Sequence, residues 1–170
     1  MPAAPARIPE FHLTVKDDEW KVARNRAPPQ NPKKQAALFT TIETLLRQGI
    51  IRKSTSPHYS QVLLVNKPDN TFRMCIDYIA LNDCTPNASW PIPTIAEMLR
   101  RIGSQKPKIF GIMDLTQGYH QAPLSKTTIA YTAFITFSWV YEFTRLPFGP
   151  KQARRYFQEI MANVYLSYIW

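Results

Sequence analysis

Cysteine is almost missing from this sequence: Cys75 and Cys84 are the only two in 170 residues. Two thiols cannot build a disulfide scaffold, nor a cysteine-rich zinc site. Glycine is scarce as well, with five residues against fifteen prolines. That balance favours fixed, extended corners over flexible loops. Acidic residues are outnumbered, 12 Asp+Glu against 21 Lys+Arg, which leaves a net charge of +9. No apolar run approaches the ~20 residues that a membrane-spanning helix needs, so no membrane contact is expected. The opening Met1-Pro2-Ala3-Ala4-Pro5 has no charged segment leading into an apolar one, so no secretory signal is read. The expectation is an intracellular chain with reduced thiols; nothing selects cytoplasm over nucleus. Internal repeats and low-complexity tracts are absent too.

What remains is enough for a core. Apolar residues make up 45% and charged residues 19%, which excludes a wholly disordered chain. A one-domain chain of this length buries about 70% of its unfolded surface. Residues 1–80 carry 12 Lys+Arg and 7 Asp+Glu, and residues 81–170 carry 9 and 5. Without a polybasic tail, a polyanionic partner such as nucleic acid has to meet a folded surface.

Six prolines fall within residues 1–34, which read as an extended arm with little core of its own. A helix should follow. Asn31 can cap it, Pro32 suits its first turn, and Leu38, Ile42, Leu45 and Leu46 share a face before Gly49 stops it. A hairpin comes next: Gln61 to Lys67, a turn at Pro68-Asp69-Asn70, and a return from Thr71 to Tyr78. Thr94-Ile95-Ala96-Glu97 has capping-box spacing and opens a helix ending near Gly103. Lys108 to Leu115 reads as a buried strand ending in Asp114. Further strands are expected around Tyr131 to Phe137 and Val140 to Leu146. Phe157, Ile160, Met161, Val164 and Tyr168 form a last helical stripe. The pattern is α+β, with antiparallel strands and helices on one face.

Asp114 is the most informative single residue. A buried carboxylate needs a cation, a metal or hydrogen-bond donors, although an aspartate here could also simply cap the next turn. Tyr119 follows closely enough to stand beside whatever Asp114 binds. Lys67 and Arg73 flank the hairpin turn and can offer two cations to a phosphate chain, or be solvated hairpin charges. Leu146-Pro147-Phe148-Gly149 is a tight apolar elbow. Arg145, Lys151, Arg154 and Arg155 form a cationic group with no acid among them, able to follow a nucleic-acid backbone or to face solvent at a helix start.

Taken together, the residues from about Phe11 to Trp170 resemble the reverse transcriptase domain of gypsy-type long-terminal-repeat retrotransposons, part of the Pol polyprotein. The resemblance rests on ordered blocks. Leu45-Leu46-Arg47-Gln48-Gly49-Ile50-Ile51-Arg52 and Ser54-Thr55-Ser56-Pro57 come first, then Arg73-Met74-Cys75-Ile76-Asp77-Tyr78 with Ala80-Leu81-Asn82. Trp90-Pro91-Ile92-Pro93, Met113-Asp114-Leu115 and Gly118-Tyr119-His120-Gln121 follow, then Thr132-Ala133-Phe134 and Leu146-Pro147-Phe148-Gly149. The resemblance implies a partial right-hand polymerase fold. Fingers would occupy about 35–88 and 123–153, and an incomplete palm about 89–122 and 154–170. It implies RNA-directed DNA polymerase activity: two-metal transfer of deoxynucleotides to a primer 3′ end. Asp114 would be a catalytic ligand of Mg2+, and the Leu115 carbonyl would join its shell. Tyr119 would be the gate against a 2′-hydroxyl, Lys67 and Arg73 would hold the triphosphate, and Phe148 would pack near the sugar and base. The implied partners are an RNA or DNA primer–template and deoxynucleoside triphosphates.

Departures from the family pattern temper this expectation. The family's Tyr-x-Asp-Asp hairpin, which brings further carboxylates, is not in this sequence, and after Asp114 the only acids are Glu142 and Glu159. Two magnesium ions need more than one carboxylate. Gly149-Pro150-Lys151-Gln152-Ala153-Arg154 replaces the usual Gly-Leu-x-Asn-Ala-Pro, and Ile79 stands where an arginine is usual. The reading is a polymerase fragment truncated before that hairpin and inactive alone. A non-catalytic basic nucleic-acid binder, or the product of a decayed element, stays open beside it.

Overall fold

The computed structural model describes residues 4–16, 20, 31–87, 94–112 and 114–166. Trp90-Pro91-Ile92-Pro93, Met113 and Tyr168 lie outside the described residues. Helix α1 runs Pro32–Arg47, and the Asn31 side chain accepts from the Lys33 N–H at 2.9 Å. Leu38 and Ile42 are buried, and Gly49 takes the left-handed φ of +65° that ends the helix. A five-stranded sheet holds β1 (Ile51–Lys53), β2 (Ser60–Asn66), β3 (Phe72–Asp77), β4 (Phe134–Ile135) and β5 (Val140–Phe143) in the order β1-β5-β4-β2-β3. Three pairs are antiparallel, but β2 and β4 run parallel through Ser60↔Phe134. The antiparallel strands expected from the sequence are present, with one parallel pair among them. The long connection between β2 and β4 leaves room for a parallel return.

That connection carries the short helices α2 (Ile79–Asp83), α4 (Gly118–Gln121) and α5 (Lys126–Tyr131), together with α3 (Ile95–Ser104). Ser125 caps α5 through its side chain, so the expected strand from Tyr131 begins only at Phe134. Helix α6 covers Ala153–Leu166. Among the described residues the core gathers Leu38 of α1, Ile50, Leu81 of α2, Phe134 of β4 and Leu146 after β5 into one cluster.

The described residues of the extended N-terminal arm pack onto the core of the rest of the chain. Phe11 is 2% exposed, bridges Leu124 and donates to the Pro123 carbonyl at 2.9 Å, and Trp20 stacks on Tyr131. Prolines fix an extended path without deciding what the apolar residues between them touch. One expectation needs correction: Lys108 to Leu115 reads in the sequence as a buried strand. No described residue of it lies in the sheet, and Ile109, Phe110 and Ile112 are 89%, 72% and 96% exposed. A strand exists only with a hydrogen-bonded neighbour, and no described strand pairs with this segment.

Candidate functional site

The elbow after β5 is built by its glycine. Gly149 has φ +114°, and a Cβ there would lie 2.9 Å from Cδ2 of the buried Tyr78. Asn82 clamps the same turn: its Nδ2 donates to the Gly149 carbonyl at 3.1 Å, and its Oδ1 accepts from the Lys151 N–H at 2.7 Å. Leu146 is fully buried, while Phe148 is 61% exposed. The elbow therefore holds an aromatic ring out of the surface on a rigid base.

Tyr119 meets that ring. Gln117, at φ +51°, turns the chain into α4, and the Tyr119 ring lies 4.6 Å from Phe148 and 4.7 Å from Phe157, nearly parallel to the latter at 11°. A Cβ on Gly118 would lie 2.9 Å from Phe157 Cζ, so glycine lets the ring of Phe157 close in without a shift. His120 stands behind, with its ring 5.8 Å from Phe148 and 6.2 Å from Phe143. Burial, and then the charge of Arg145, hold its pKa below the usual histidine value. The result is an aromatic shelf of Tyr119, Phe148 and Phe157 beside the His120 ring. Phe157 and His120 escaped the sequence-based site because their contacts cross long sequence separations.

The hairpin cations take positions consistent with a shared face. Val65 faces Arg73 in the register, and the Lys67 N–H donates to the Thr71 carbonyl at 2.8 Å, so Lys67 and Arg73 are diagonal neighbours. The turn between them is fixed by Asp69, which accepts from the Thr71 hydroxyl and N–H; these bonds hold its carboxyl below the ordinary value. A cleft of about 590 Å³ joins the hairpin to the segment after Asp114, with Thr71 and Phe72 on one wall, Gln117 on another and the threonine face of α1 on a third.

Other expected site residues are scattered. Arg145 is 6% exposed and forms a bridge with Pro123, which removes it from any surface cation track. Lys151 and Arg154 are exposed and Arg155 half-buried; the Lys151 ammonium lies 3.5 Å from the Thr85 carbonyl. Asp114 is exposed rather than buried. The Leu115 carbonyl accepts from the Gly118 N–H at 3.2 Å, closing the turn into α4. Among the described residues no three His, Cys, Asp or Glu side chains come together as a metal site. Asp114 alone does not fit a pair of magnesium ions. No helix among the described residues is long and apolar enough to cross a membrane.

Comparison with known proteins adds to this geometry. The family described as reverse transcriptase (RNA-dependent DNA polymerase) matches residues 65–169. The retrovirus-related Pol polyprotein from transposon 297 of Drosophila melanogaster is 40% identical over 128 residues, covering 72% of this chain and 12% of that protein. The corresponding polyprotein from transposon gypsy is 36% identical over 129 residues, with the same coverage. The chain thus spans about an eighth of the length of these relatives. Among solved structures, the foamy viral protease-reverse transcriptase in complex with RNA/DNA hybrid has a TM-score of 0.78 at 24% identity, over 97% of this chain and 22% of that one. A prototype foamy virus protease-reverse transcriptase mutant has a TM-score of 0.77 at 23% identity, over 96% and 21%.

Proposed function

The chain belongs to the reverse transcriptase (RNA-dependent DNA polymerase) family, and from that premise we propose that it grips a deoxynucleoside triphosphate against a primer–template for RNA-directed DNA synthesis. The observation that carries this reading is the Tyr119–Phe148 contact at 4.6 Å. It joins two residues 29 positions apart that the family resemblance assigns to one nucleotide. Lys67 and Arg73 take the phosphates as charge-assisted donors. The Tyr119 ring, pinned by Phe157, denies space to a 2′-hydroxyl, and Phe148 packs on sugar and base. Lys151 and Arg154 lie along the nucleic-acid backbone. Members of the family generally use divalent ions. Asp114 is exposed ahead of the turn into α4, and the share of the reaction proposed for the residues named here is binding and selection.

Titration of the purified chain with matched deoxy- and ribonucleoside triphosphates tests this. The deoxy form binds more tightly, and Tyr119→Ala erases the difference. Lys67→Ala and Arg73→Ala each weaken both ligands about tenfold, the worth of one charge-assisted bond. Equal affinity for the two sugars in the unmodified chain would refute the gate.

A further inference from the structure

A second aromatic site lies away from the shelf. A cleft of about 280 Å³ opens between α1 and the turn joining β4 to β5. Leu38 and Ile42 belong to its lining, and Phe39, Phe137 and Trp139 stand along it 56%, 55% and 56% exposed. Three rings so open to water around one cleft are costly unless something stacks on them. The turn that presents two of them is rigid. The Thr136 hydroxyl donates to the Trp139 carbonyl at 2.8 Å and accepts from the N–H groups of Ser138 and Trp139. A cation is held beside the rings: the Lys53 ammonium lies 3.9 Å from the Trp139 ring centroid.

Aromatic platforms interleaved with cations are what unpaired nucleotides bind, with bases on the rings and phosphates on the charges. The overall charge of +9 matches a polyanion. We infer that this cleft is a stacking site for unpaired bases of a nucleic-acid strand, separate from the nucleotide shelf. The inference rests on the reading of the chain as a nucleic-acid binder. Glu43 is the one acid in the lining. Its carboxylate repels phosphate but accepts from the exocyclic amine of cytosine, so the site prefers cytosine to thymine.

Fluorescence anisotropy with two probes tests this on the full chain: a short labelled oligodeoxycytidine and a blunt duplex of mixed sequence. Trp139→Ala, and separately Phe137→Ala, weaken the single strand about tenfold and leave the duplex within twofold, because stacking acts on unpaired bases only. Oligodeoxythymidine binds more weakly than oligodeoxycytidine, and Glu43→Gln narrows that gap. If the duplex binds while the single strand is indifferent to both ring substitutions, the cleft is not a stacking site although the broader reading survives. If neither probe binds, both fall. Self-association that Trp139→Ala abolishes would assign the cleft to a second protein chain and overturn the inference.

Discussion

At the scale of single residues, Gly149 and His120 make the clearest demands. Gly149→Ala places a Cβ 2.9 Å from Tyr78 at a φ of +114° that side chains avoid. Strain of that kind costs about 1–3 kcal/mol, and urea unfolding should show it as a lower midpoint at unchanged slope. Tyr78 itself is fully buried, with its hydroxyl donating to the Thr132 carbonyl at 3.0 Å. His120 makes stability depend on pH. Its folded pKa lies below the ordinary 6.5, through burial and Arg145. As pH falls, the unfolded chain therefore takes up the proton first. The stabilisation is complete above about 6.5 and declines as pH drops below it. Comparing urea midpoints on either side of that value should show a loss on acidification that His120→Gln reduces. An unchanged loss in the variant would clear His120 of the effect.

Elements show what local pattern decides and what it leaves open. Glu142 ties β1 to β5: Arg52 Nε donates to Oε1 at 2.7 Å and the Ser54 hydroxyl to Oε2 at 2.6 Å. The Arg52 side chain is 59% exposed, so water recovers part of the loss. Glu142→Gln should cost about 1 kcal/mol, read by thermal unfolding. Helix α3 behaves oppositely. Thr94 caps it through the Glu97 N–H at 3.2 Å, as the capping-box spacing predicts, yet none of its residues is buried. Leu99, 63% exposed, can become Gln with a stability change within about 0.5 kcal/mol, checked by the same unfolding curves. Helix α1, the β2–β3 hairpin and the α3 cap were legible because their signals lie within a few residues. The segment from Lys108 to Leu115 was misread because its apolar run cannot say whether a partner strand exists. The burial of Phe11 and Trp20 was missed for a similar reason, since their partners Leu124 and Tyr131 lie more than a hundred residues away.

For the whole molecule, the sequence names candidate positions without their arrangement. Tyr119 and Phe148 do meet, while Arg145 sinks beside His120 and Asp114 stands exposed on an unpaired segment. Charge counts could not tell a buried arginine from an exposed one. Five of the expected cations remain at the surface or half-buried: Lys67, Arg73, Lys151, Arg154 and Arg155. If they neutralise phosphates, binding must release counterions. The decisive measurement is the affinity of the chain for a primer–template across a salt series. A log–log slope near −4.5 is predicted, about −0.9 for each of those five cations, its magnitude falling by about one unit in Arg73→Ala. A flat dependence on salt would contradict the claim that this basic surface holds nucleic acid.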